Sequence, residues 1–180
     1  MKTIVIALAA CVSIGGSAVA GHAVRDYKAD KNPPGACFAE TELQLDLFGL
    51  YGWSTEGSSG DGFGGGIGVN YFFQRYFGIG VDGAVRDASN HGSRESALWN
   101  ASASLIGRFP LELGGGLCLA PYILGGGGVQ ANGTTHGSFH AGGGLEWRAT
   151  PMLGVFTEGR YIWAGHEDQV QVRLGARIVF

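Results

Sequence analysis

From Leu43 to the last residue, apolar side chains recur at every second position. The clearest run is the last, where Val170, Val172, Leu174, Ala176, Ile178 and Phe180 alternate with Gln169, Gln171, Arg173, Gly175, Arg177 and Val179. A period of two puts one set on each face of an extended strand, whereas a helix repeats every three to four residues. The same pattern recurs upstream. Phe63, Ile67, Val69, Tyr71 and Phe73 oppose Gly62, Gly64, Gly66, Gly68 and Asn70, and Phe77, Ile79, Val81 and Val85 oppose Gly78, Gly80, Asp82, Ala84 and Arg86. Trp99, Ala101, Ala103 and Leu105 oppose Asn100, Ser102 and Ser104. Phe139, Ala141, Leu145 and Trp147 oppose His140, Gly142, Gly144 and Glu146, and Val155, Thr157, Tyr161 and Trp163 oppose Gly154, Glu158 and Arg160. Leu43–Trp53 and Leu119–Gln130 follow the rule less regularly. The pattern predicts eight strands, each close to the roughly 9–11 residues of a tilted membrane strand.

The second face decides between two architectures. In a soluble sandwich the apolar faces share a core and the polar faces meet water. Here the polar faces combine small residues with charges of both signs: Asp46, Asp82, Arg86, Glu146, Arg148, Glu158, Arg160, Arg173 and Arg177. In a narrow closed barrel these point inward and pair, while the apolar faces meet lipid, with Trp53, Trp99, Tyr161, Trp163 and Phe180 as interface aromatics. Hydrocarbon offers nothing to an unpaired strand edge, so a membrane sheet must close. The connections agree. Gln74-Arg75, Pro110–Leu117 and Ala149–Met152 are short to moderate, and alternate with the polar, Gly/Ser/Asn-rich Ser54–Asp61, Asp87–Ala97, Asn132–Ser138 and Ala164–Asp168. The expected fold is all-β, an eight-stranded antiparallel up-and-down transmembrane β-barrel over residues 43–180.

The first 42 residues read differently. Lys2 precedes an apolar run from Thr3 to Ile14, Gly15-Gly16-Ser17 breaks it, and Ala18-Val19-Ala20 gives a small-x-small cleavage pattern. Residues 1–20 are therefore expected to be a secretory signal peptide cleaved after Ala20. Leu8-Ala9-Ala10-Cys11 also fits a lipoprotein box, which would instead lipidate Cys11. Residues 21–42, with Asn32-Pro33-Pro34-Gly35, are expected to form a periplasmic N-terminal linker. Cleavage removes Lys2, leaving 11 Lys+Arg against 15 Asp+Glu, or −4. That charge advertises no nucleic-acid partner. Of 180 residues 34 are Gly and 15% are charged, with 45% hydrophobic, which argues against a disordered chain. The glycines lack the every-third-residue repeat of collagen.

The chain resembles the small eight-stranded outer-membrane β-barrels, the OmpA-like and OmpX-like proteins. The likeness is carried by the leader, by Gly143-Gly144-Leu145-Glu146-Trp147-Arg148-Ala149-Thr150-Pro151, by Gly154-Val155-Phe156-Thr157-Glu158-Gly159-Arg160-Tyr161, and by the alternating strand that closes on Phe180. The resemblance implies a bacterial outer-membrane location, with outer-membrane lipid (lipopolysaccharide) as a partner. It also implies that Phe180 belongs to the signal read by the barrel-insertion machinery. A monomer without cofactor is expected. The scaffold serves many roles, so it says little about which one.

Asp82, Arg86, Glu146, Arg148, Glu158, Arg160, Arg173 and Arg177 are the candidate lumen network, because burying such groups unpaired costs several kcal/mol each. Those on the last three strands, Glu146, Glu158, Arg160, Arg173 and Arg177, are expected to form its centre. An eight-stranded barrel has an interior that side chains just fill, which favours an envelope-integrity or surface-interaction role. The alternatives are a narrow pore for small solutes, or an adhesin or receptor acting through the outer loops. Cys37 and Cys118 are expected at the same rim, joined by a disulfide across or along the periplasmic mouth; the alternative is two separate thiols, since strands one and five lie opposite each other. Gly78-Ile79-Gly80-Val81-Asp82-Gly83 matches a dinucleotide fingerprint but lies inside an alternating strand, where no helix follows. His136-Gly137-Ser138 matches the His-x-Ser of outer-membrane lipid A deacylases. Neither Glu146 nor Glu158 sits at that family's spacing, and the alternation turns His136, Ser138 and Glu146 into the lumen. No catalytic or metal site is expected.

Overall fold

The computed structural model describes residues 37–55, 61–87, 97–113, 117–165 and 167–180. The expected leader lies outside them. The strands are β1 (Glu42–Ser54), β2 (Gly62–Phe72), β3 (Phe77–Asp87), β4 (Ala97–Arg108), β5 (Leu111–Leu113), β6 (Leu117–Asn132), β7 (Thr134–Thr150), β8 (Leu153–Ala164) and β9 (Glu167–Val179). Every neighbour pair is antiparallel, β9 pairs with β1, and β4 pairs with β6 to close the sheet on itself. Eight of the strands are the staves of a closed up-and-down barrel. The end that holds Leu43 and Phe180, whose backbones bond to each other both ways, is called the inner end.

The alternation places each face as expected. Leu43, Leu45, Leu47, Ile67, Val81, Leu105 and Leu174 point outward, and Gln44, Asp46, Asn70, Ser104, Glu158 and Arg173 point inward and are buried. Leu47, Ile67, Leu105 and Leu174 keep 62–69% of their surface exposed, which no water-soluble sandwich core allows. Tyr51, Phe63, Trp99, Phe139 and Trp163 ring the outer rim, and Tyr71, Phe77, Phe109, Trp147 and Phe180 ring the inner one. From Leu43 to Tyr51 a strand climbs about 27 Å at about 3.4 Å per residue. Tilted by about 40°, that spans about 21 Å, close to the apolar band of an outer-membrane barrel.

Two connections differ from expectation, and so does the start of β1. The link after β4 is not a plain loop, because Leu111–Leu113 form β5, an extra pairing on the start of β6. Phe109 donates to the Pro121 carbonyl, but Pro121 has no N–H to return the bond, so the ladder is interrupted there and resumes at Leu111. The expected loop at Asn132–Ser138 is a tight turn. Gly133 takes φ +79° between the paired Asn132 and Thr134, so β7 runs through Ser138. At the inner end β1 starts at Glu42, one residue ahead of the expected first strand residue. The β4–β6 seam needs its glycines for another reason: a Cβ at Gly126 or Gly128 would run into the β4 backbone at Ala103 or Ala101. The fingerprint-like Gly78–Gly83 lies wholly within β3.

Candidate functional site

Residues two apart on a stave share a face, so three acid–base or amide–base pairs arise locally: Glu146 with Arg148, Glu158 with Arg160, and Gln171 with Arg173. Closure then sets each pair against partners across the lumen. At the inner end Glu42 receives Arg108 at 2.6 Å and Arg148 at 3.1 Å, and Arg148 also meets Glu146 at 2.6 Å. Glu146 takes Arg177 at 2.6 Å, and Arg177 grips both oxygens of Asp46 at 2.7 Å each. The Asn70 amide also donates to Asp46.

A second network lies on the same lumen. Asp82 receives Arg160 and Arg173 at 2.9 Å each, and Ser102 donates to it as well. Arg160 also bonds Glu158 at 2.5 Å. Tyr122 joins the networks, since its hydroxyl donates to Glu158 while Arg177 lies against its ring. Phe48 and Phe156 pack under Arg173 and Arg177, each with a ring-to-guanidinium distance of 4.7 Å. These aromatic faces stabilise cations already held by carboxylates.

The expected centre on the last three strands is thus divided. Glu146 and Arg177 belong with Asp46 and Glu42, while Glu158, Arg160 and Arg173 belong with Asp82. Arg86 sits apart from both, towards the outer end, donating to the Gly52 carbonyl and the Gln169 amide oxygen at 2.9 Å each. Glu42 and Arg108 were missed by the sequence reading, although both are 3% exposed or less and tie the inner end together. The signal was present. Counting back by two from Asp46 and Gln44 reaches Glu42, and counting on from Ser102 and Ser104 reaches Arg108.

Where the two networks meet, the packing leaves almost no space. The void among Asp46, Tyr122, Glu158, Arg160, Arg173 and Arg177 is about 10 Å³, barely one water. Cys37 and Cys118 are joined in a disulfide at the inner mouth, with Cα atoms 6.0 Å apart. The His-x-Ser candidate does not assemble: His136 is exposed and bonds Thr134, whereas the buried Ser138 hydroxyl has no hydrogen-bond partner among the described residues. Among the described residues no three His, Cys, Asp or Glu side chains are grouped to hold a metal ion.

No family model and no curated protein matches the chain. Solved structures do. Neisserial surface protein A is similar at 17% identity with a TM-score of 0.62, over 78% of this chain and 97% of that one. The N-terminal β-barrel domain of Pseudomonas aeruginosa OprF gives 18% and 0.56, over 77% and 97%. Ail, the attachment invasion locus protein of Yersinia pestis, gives 15% and 0.55, over 78% and 99%, and has also been solved with the heparin analogue sucrose octasulfate. At such identities the likeness speaks for architecture: the chain has the fold of the small eight-stranded outer-membrane β-barrels.

Proposed function

We propose that the protein is an integral outer-membrane barrel with a sealed lumen, a non-enzymatic scaffold of the envelope that presents its outer connections to the exterior. The observation that carries this reading is the filled interior. Two linked ion-pair networks, with a void of about 10 Å³ where they meet, block the middle of the lumen to a hydrated solute. The apolar outer wall supplies the lipid contact, and the inner end then faces the periplasm.

The narrow-pore alternative requires the ion pairs to part, and their mutual satisfaction opposes that. An adhesin role of the kind Ail's name denotes draws no support from the outer rim. Among the described residues that rim carries Asp61, Asp87 and Asp168, which repel a polyanion such as the one bound by Ail. The test has two parts. Outer-membrane fractions should contain the protein in a form whose gel mobility shifts on boiling, and the purified barrel should give no stable conductance in a planar bilayer. A soluble periplasmic protein without a mobility shift overturns the membrane reading, and steady single-channel steps overturn the sealed lumen.

A further inference from the structure

Around the closed sheet β6 lies four staves from β1 in either direction, so the two face each other across the barrel. Cys37 lies five residues before β1 and Cys118 is the second residue of β6. The disulfide between them therefore draws residues 37–41 across the inner mouth. The segment carries one large apolar side chain, Phe38, and none of its surface is exposed. Its ring lies between the guanidinium groups of Arg148, at 4.6 Å, and Arg108, at 5.1 Å, and Arg108 in turn packs on Phe72 at 3.9 Å. The backbone is held by the same residues: Arg148 donates to the Cys37 carbonyl, Arg108 donates to the Ala39 carbonyl, and the Ala39 amide donates to Glu42.

We propose that residues 37–41 form a redox latch, in which the Cys37–Cys118 bond keeps Phe38 seated as a stopper over Glu42, Arg108 and Arg148, and reduction lets the stopper leave. Two features make both states accessible. Glu42 and Glu146 already pair with both arginines without help from the segment, so opening leaves paired charges facing water rather than stranded ones. The seat itself is one ring and three hydrogen bonds, set against the conformational freedom of five residues. In the latch these few contacts do not outweigh that freedom on their own, and the covalent bond decides. Opening takes two electrons and two protons from a small dithiol, which leaves as its own disulfide while Cys37 and Cys118 become thiols. Closing returns them to a disulfide-bearing oxidant. A physiological exchange partner rests on the periplasmic placement proposed above; the latch does not.

The test uses the folded protein in detergent micelles, followed by hydrogen exchange and mass spectrometry with and without dithiothreitol. Before reduction the mass must show both thiols blocked, and two free thiols would sink the proposal. After reduction, exchange across 38–41 should accelerate by about tenfold or more while the staves keep their protection. The Cys37→Ser variant should match the reduced protein. Phe38→Ala with the bond intact should raise exchange at Ala39 and make the disulfide reducible at lower dithiothreitol. Unchanged exchange after complete reduction means the segment seats itself, and loss of the heat-modifiable form means the bond braces the whole barrel; either overturns the latch. Because the measurement is made in micelles, a protein located outside the outer membrane would overturn the proposed function alone.

Discussion

Replacing Arg177 by Met tests whether the lumen is held by its charges. Arg177 makes two 2.7 Å bonds to Asp46 and one of 2.6 Å to Glu146, and lies 4.7 Å over Phe156. Met keeps much of the apolar stem and removes the charge. The two acids then fare differently. Glu146 retains Arg148, but Asp46 is left with the Asn70 amide alone. A buried carboxylate stripped of its cation costs about 3–5 kcal/mol, which is about two to three and a half decades in the folding equilibrium. The assay is denaturant unfolding of the barrel in lipid or detergent, followed by tryptophan fluorescence and by the heat-modifiable band.

The second variant separates charge from packing. Arg177→Met combined with Asp46→Leu leaves no unpaired carboxylate at this position, so at least half of the loss should return. A coupling this large between residues in contact is measurable by a double-mutant cycle. If Arg177→Met alone stays within about 1 kcal/mol of the parent protein, water rather than counter-charge is satisfying Asp46. The sealed-lumen argument then fails with it.

Three further outcomes follow from the same geometry. Leu47→Arg, on the lipid face near mid-height of β1, should destabilise the barrel in bilayers by about 2–4 kcal/mol, whereas a small effect would mean that Leu47 faces water. Gly128→Val should impair assembly, because its Cβ meets the Ala101 carbonyl and Ser102, while Gly159→Ala, which meets nothing within 4 Å, should fold like the parent; the paired yields of heat-modifiable protein check both. Deleting Phe180 removes both of its backbone bonds to Leu43 and the terminal aromatic that the family resemblance links to insertion, so outer-membrane yield should fall. Normal yield would show that the β9–β1 seam closes without it.

What could be read from the chain and what could not divide along the range of the interactions. Which way a residue points is set by its neighbour one position away, and so Leu47 outward and Asp46 inward are legible from alternation alone. The pairs Glu146–Arg148 and Glu158–Arg160 are equally local. Who meets whom across the lumen is set by stagger and closure, which no single strand contains. Arg177 finds Asp46 at a sequence separation of 131, and Arg160 finds Asp82 at 78. Grouping the charges by adjacent strands therefore put Glu158 and Arg177 in one cluster where the barrel builds two. The inner mouth was hidden differently. Residues 21–42 read as a polar linker because Phe38 is isolated among small and polar neighbours, and periodicity is silent for a single aromatic. Its burial depends on Arg108 and Arg148, which arrive from β4 and β7, and on a disulfide from β6. Phe38 is inside because three distant segments of the chain meet around it.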